Sequence, residues 1–176
     1  MAGRVTIGLY NSYDPVKFHE SHRRSLARAG PLALAFDCNL ATFGFPYDSE
    51  LSTPAEIAQW ISTTTSIGES GGYLIELAQK GRFSAFDFPK KGFPPQLGEV
   101  VVTTRKPVAA KKVTASDVRS LVGAGRSVLL VFGLGPRGLP SEIFDMSPRH
   151  LDITGRGLSL ETCTALGAVI ALIKGK

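Results

Sequence analysis

The reading of residues 127–174 decides the fold: SVLLVFGLGPRGLP from Ser127 and, from His150, HLDITGRGLSLETCTALGAVIALIK. Residues 127–132 are an apolar run of strand length, and a glycine-rich loop follows at once. A second short strand begins near His150, and a second loop over 154–159 again carries two glycines, Gly155 and Gly157. Ser159 then reads as the N-cap of a closing helix, with Glu161 in a first turn that suits the helix dipole. That helix is apolar on every side over 163–173 and rich in small residues, so it is expected to be buried in the domain or against a partner chain. Glycine has no Cβ, and two such loops at the C-terminal ends of strands let bare backbone approach a flat ligand.

Upstream, Val5–Tyr10 (VTIGLY) is β-like and ends in the turn signal Asn11-Ser12-Tyr13-Asp14-Pro15. Asp14 before Pro15 predicts a helix over 16–29, stopped by Gly30 with Pro31 beyond, and its sparse apolar positions predict exposure. The apolar run 32–36 reads as a strand. A helix opens at Thr53-Pro54 and continues through Ile57, Trp60 and Ile61, weakening over 62–66 before Gly68, Gly71 and Gly72. Further expectations are a helix over 73–80 with Gly81 as its C-cap, strands over 84–88 and 99–104, and a helix over 114–122 opened by a Thr/Ser cap. Strands alternate with helices and are apolar runs, the α/β pattern of a mostly parallel sheet covered by helices on both faces. With 176 residues and no internal repeat, one domain over 1–176 is expected.

The net charge of +5 is unevenly spread. No Lys or Arg occurs over 29–79, where six carboxylates lie, whereas 80–112 holds eight basic residues against Asp87 and Glu99. Clustered cations attract phosphate backbones, so nucleic acid is one reading and a solvated surface the other. No window is apolar for the roughly 18 residues a membrane span needs. No Cys pair stands at metal-ligand spacing and three histidines make no convincing set, so no metal is expected. Cys38 and Cys163 read as cytosolic thiols, and the N-terminus lacks the long apolar stretch of a signal peptide, so a cytoplasmic location is expected.

Residues 133–138 also match G-x-G-x-x-G after a strand, the dinucleotide fingerprint, with Asp152 near the place of a ribose-binding acid. Pro136 and Pro140 fall where the following helix should supply free N–H groups, and 139–149 is short for a crossover helix. A nicotinamide-dependent oxidoreductase is therefore the third reading.

The strings FGLGPRGLP and HLDITGRGLSLETCTALGA resemble the C-terminal signature of the SPOUT class of RNA methyltransferases, and the whole chain looks like an uncharacterised archaeal family within that class. The resemblance is strong over 128–168, moderate over 5–30 and faint between them. It implies a C-terminal trefoil knot, an S-adenosylmethionine site built from three loops, and a homodimer joined through the C-terminal helices. By position the cofactor would meet Thr103 and Thr104; Phe132, Gly133, Leu134, Gly135, Gly138 and Leu139; and Leu151, Ile153, Thr154, Gly155, Ser159 and Leu160. In one branch of the class an Asn after the first strand and an Arg on the first helix serve catalysis or phosphate binding. Asn11 and Arg24 fall at comparable places, although the glycines of that branch are missing between them. Asn11 as a turn former and Arg24 on a solvated helix face are the plainer readings.

Arg137, Lys90, Lys91 and Arg105 are the candidates for RNA contact. Asp152 either holds a backbone turn or touches substrate, and no strong general base stands out. The leading reading is thus an S-adenosylmethionine-dependent methyltransferase acting on tRNA or rRNA. A non-catalytic RNA-binding module on the same fold is the alternative.

Overall fold

A computed structural model describes residues 1–64 and 70–176, so the expected breaks at 65–66 and Gly68 lie outside the described residues. The central strands are β1 (Val5–Tyr10) and β6 (Val128–Gly133), whose apolar runs are buried as runs of this kind require. Around them lie β2 (Asn39–Phe43), β3 (Phe83–Phe86), β4 (Glu99–Thr103), β5 (Lys112–Val113) and β7 (Arg149–Leu151). All pairings are parallel, in the order β3-β2-β1-β6-β4-β7-β5.

The helices are α1 (Glu20–Ala35), α2 (Pro54–Thr64), α3 (Ser70–Gln79), α4 (Ala115–Gly123), α5 (Ser141–Asp145) and α6 (Thr162–Lys174). They cover the two faces unequally. Val128, Leu130 and Phe132 of β6 pack with Leu26, Ile57, Leu77, Val118 and Leu166, one residue from each long helix. The alternate residues Leu129 and Val131 face a thinner layer made by Leu139, Phe93 and Ile143 of the five-residue α5. Leu130 is fully buried and pairs with Ile7 on one side and Val101 on the other. Leu130→Ala is therefore expected to cost about 2–5 kcal/mol, read as a lowered urea midpoint with an unchanged slope.

The first helix departs from the sequence expectation at both ends. The Asp14 carboxylate accepts from the N–H groups of Val16 (2.8 Å) and Lys17 (3.0 Å), closing a local turn rather than capping a helix. The helix starts at Glu20, where His19 is the N-cap and the His22 Nδ1 accepts from the His19 N–H at 2.9 Å. It then runs through Gly30 and Pro31, and 32–35 is its last turn rather than a strand. A short apolar run has no period that separates these two states. The helix also buries one face, including Leu26, Ala29, Gly30 and Ala33, so the expected exposure is wrong. The strand that follows is β2, which carries only Leu40 and Phe43 as large apolar residues.

Thr114 caps α4 in a reciprocal box with Asp117, matching the expected start. The closing helix begins later than expected. Its cap is Glu161, which accepts from the N–H groups of Cys163 (2.9 Å) and Thr164 (3.1 Å), and Ser159 remains in the loop. Nor is α6 enclosed on all sides: Ala165, Leu166, Val169, Ile170 and Ile173 are buried while Leu172 is exposed.

Candidate functional site

The carboxyl ends of β4, β6 and β7 lie side by side, which is where ligands sit in parallel α/β sheets. The loops leaving these strands enclose a cavity of about 730 Å³, within the range of small-molecule sites. Its walls are Thr103, Thr104, Arg105 and Lys106; 132–139; Asp152 and Ile153; 158–163; and, from the N-terminal side, Tyr13, Ser21, Arg24 and Ser25. Phe144 and Ala165 complete it.

The loops are tied to one another by side chains near the strand ends. Thr103 Oγ1 donates to the Val131 carbonyl at 3.0 Å, and Thr162 Oγ1 donates to the Gly133 carbonyl at 3.0 Å. Ser12 Oγ donates to the Leu134 carbonyl at 2.8 Å. Asp152 holds its own turn, accepting from the N–H groups of Thr154 (3.2 Å) and Gly157 (2.9 Å).

Three glycines of the loop after β6 have distinct reasons. A Cβ on Gly133 would stand 3.0 Å from the Gly138 carbonyl carbon, so the loop could not fold back on itself. Gly135 has φ +114° and packs against Tyr13, and Gly138 has φ +66° with open space where a side chain would begin. The dinucleotide reading loses its support here, because this loop leads only to the five-residue α5 from Ser141, too short to supply the crossover-helix N-terminus that reading needs.

Of the expected cofactor contacts, Thr103, Thr104, Phe132, Gly133, Leu134, Gly135, Gly138, Leu139, Ile153, Ser159 and Leu160 all reach the cavity wall. Leu151 instead points into the core, and Thr154 and Gly155 are spent on the Asp152 turn. Arg24, Arg105 and Arg137 line the cavity. Lys90 and Lys91 are not among its lining residues and sit in the connection between β3 and β4.

Asn11 also lies outside the wall. Its Nδ2 donates to the carbonyls of Asp14 (2.7 Å) and Gly44 (2.9 Å), and its Oδ1 accepts from Tyr13 N–H (3.1 Å) and His22 Nε2 (2.9 Å). A side chain so fully engaged holds a turn, which revises the catalytic expectation for it.

Sequence reasoning missed Tyr13, Ser21 and Ser25, and left Asp152 between two alternatives, a backbone turn or substrate contact. The spacing of Ser21, Arg24 and Ser25, three and four residues apart, was the available signal that they share a helix face.

Four cations, Arg24, Arg105, Lys106 and Arg137, line the cavity against two carboxylates, and both carboxylates are engaged by backbone N–H groups. Burial pushes the Glu161 carboxyl up, but the N–H donors of Cys163 and Thr164, with Arg28 nearby, outweigh it and hold it below its ordinary range. Burial and the neighbouring Glu161 carboxylate raise the Cys163 thiol, so it is no ready thiolate. Among the described residues no three His, Cys, Asp or Glu gather to hold a metal, and no helix is long and apolar enough to cross a membrane.

Behind the Tyr13 turn, His22 is fully buried, and burial together with the charge of His19 lowers its pKa to about 4. The unfolded chain, with an ordinary histidine near 6.5, binds this proton more readily, so stability is full above pH 6.5 and declines as pH falls towards 4. Urea midpoints at pH 7.5 and 5 are expected to show the decline, and equal midpoints would contradict it. The Asp14 carboxyl is held well below its usual range, chiefly by the His19 hydrogen bond, so its own contribution is lost only at still lower pH.

The comparisons with known proteins agree with this fold. "Uncharacterized protein MJ0224" of Methanocaldococcus jannaschii is 41% identical over 170 residues, covering 97% of this chain and 93% of its own length. A "Probable Methyltransferase" from Bordetella pertussis superposes with a TM-score of 0.63 at 16% identity, over 98% of this chain and 95% of that one. An A. aeolicus TrmH/SpoU tRNA modifying enzyme gives 0.54 at 14% identity, over 98% and 76%. The SpoU methyltransferase AviRb from Streptomyces viridochromogenes, solved with AdoMet, gives 0.52 at 14% identity, over 98% and 57%. At these identities the structures establish a shared SPOUT-type α/β fold. The sequence itself matches "Protein of unknown function (DUF531)" over residues 5–174, and with a relative so similar over nearly its full length, the chain belongs to the DUF531 family.

Proposed function

We propose that this protein is an S-adenosylmethionine-dependent RNA methyltransferase acting on tRNA or rRNA in the cytoplasm. The observation that carries the reading is the convergence of three strand-end loops on one cavity whose rim is positive. The volume of about 730 Å³ and the open space at Gly138 fit a nucleoside-bearing group held by backbone. When bound, S-adenosylmethionine supplies an electrophilic methyl carbon.

The chain's own residues would do the rest. Backbone at Phe132, Leu134 and Leu139, with Ile153 and Leu160, forms the walls that orient the ligand. Phe144 and Leu158 help to exclude water. Arg24 faces the acceptor, and Arg105, Lys106 and Arg137 meet its phosphates. The resemblance further assigns a threaded C-terminal knot, supported by β7 standing between β4 and the edge strand β5. It also assigns a homodimer, for which the exposed Leu172 beside Ala168 and Ala171 on α6 provides an apolar contact.

The test is methyl transfer from labelled S-adenosylmethionine to unmodified tRNA and rRNA. Incorporation into one of them is expected. Because both cavity carboxylates are engaged, the non-catalytic reading keeps one specific support, and RNA binding without incorporation would decide for it.

A further inference from the structure

The turn after β1 is shaped by the buried Asn11 side chain (3% exposed) and backed by the fully buried His22 of α1, whose Nε2 donates to Asn11 Oδ1 at 2.9 Å. What that turn presents to the cavity is one large group, the ring of Tyr13, which is 47% exposed. The ring is held from several directions. Its backbone N–H donates to Asn11 Oδ1 at 3.1 Å, and the His19 and His22 rings meet it nearly at right angles at 5.2 and 5.8 Å. Gly135 packs against it from the glycine loop, and the adjacent Ser12 hydroxyl locks the turn onto the Leu134 carbonyl. Arg24 lines the same cavity.

An exposed aromatic ring at the mouth of a positive cavity, with its rotamer already fixed, suits a flat, weakly polar partner. Nucleobases of single-stranded RNA stack on such rings without regard to sequence, while nearby cations hold the phosphates. We infer that Tyr13 is the platform on which the nucleobase of the acceptor nucleotide, or of its immediate neighbour, stacks. This deepens the reading under Proposed function and rests on it.

The experiment measures binding of a fluorescein-labelled single-stranded RNA by anisotropy, with S-adenosylhomocysteine present, for the wild-type chain, Tyr13→Ala and Tyr13→Phe. Tyr13→Ala is expected to weaken RNA binding about tenfold to a hundredfold, the usual effect of removing one stacked base. Tyr13→Phe should restore it, and calorimetry should find S-adenosylhomocysteine affinity preserved in both variants. A thermal melt close to that of wild type shows the turn intact, since an exposed ring contributes little to the core.

Unchanged RNA affinity in a Tyr13→Ala chain whose wild type binds RNA would overturn the platform alone. An equal loss of S-adenosylhomocysteine affinity would also overturn it, assigning the ring to the cofactor. Failure of the wild-type chain to bind any RNA would bring down the functional reading and the platform with it.

Discussion

Gly138→Val is expected to weaken S-adenosylhomocysteine binding by about tenfold to a hundredfold while the chain stays folded, measured by calorimetry and circular dichroism. Gly138 has φ +66°, a backbone conformation in which a β-branched residue is a genuine outlier. No atom lies within 4 Å of where its Cβ would be, and the residue lines the cavity. A valine there would both strain the loop and project isopropyl bulk from the wall. The core is untouched, because Gly138 is exposed and the strand before it ends at Gly133. Gly123→Ala is the control: it also has open space at its Cβ, but in the last turn of α4 and away from the cavity, so cofactor affinity should not change. Equal affinities for wild type and Gly138→Val would remove this loop from the site.

Arg24→Ala is expected to lower methyl transfer by about a hundredfold or more with S-adenosylhomocysteine affinity nearly unchanged. Arg24 stands on the cavity face of α1 between Ser21 and Ser25, and it has no ion-pair partner among the described residues. By contrast, its neighbour Arg23 is committed to Glu20 at 2.9 Å and lies over the rings of Phe18 and Trp60. A cation left uncommitted at a cavity wall is poised to meet charge on the acceptor. The split between rate and cofactor affinity separates this role from a loss of folding, which would lower both together. Arg23→Ala should affect stability rather than transfer.

How much of this was legible depended on whether the signal was local. The glycine loops were readable because φ above zero and close backbone approach select glycine at single positions, as at Gly135 and Gly138. The strongly apolar β6 and the Thr114 cap were readable for the same kind of reason. Which side of a strand end a residue takes was not read from the string alone. Leu151 turns into the core while Asp152 reaches the cavity, and period-two alternation decides this only once the register of β7 on β4 is fixed.

The region around α1 was the least legible. Gly30 and Pro31 read as a stop, yet the helix continues because Gly30 lets α1 approach α3 closely, its absent Cβ lying 3.3 Å from the Leu74 nitrogen. Lys90 and Lys91 were visible as charge, but that they do not line the cavity follows from the path between β3 and β4. Asn11 and Tyr13 are two residues apart in one turn, and only tertiary partners, Gly44 and His22 for one and Gly135 for the other, set one inward and one towards the cavity.

The measurement that bears most directly on the main claim is calorimetric titration of the protein with S-adenosylmethionine and with S-adenosylhomocysteine. The account predicts saturable binding of one ligand per chain with a dissociation constant of about micromolar order, roughly −8 kcal/mol. Absence of any binding heat up to about millimolar ligand, a free energy weaker than about −4 kcal/mol, would contradict it.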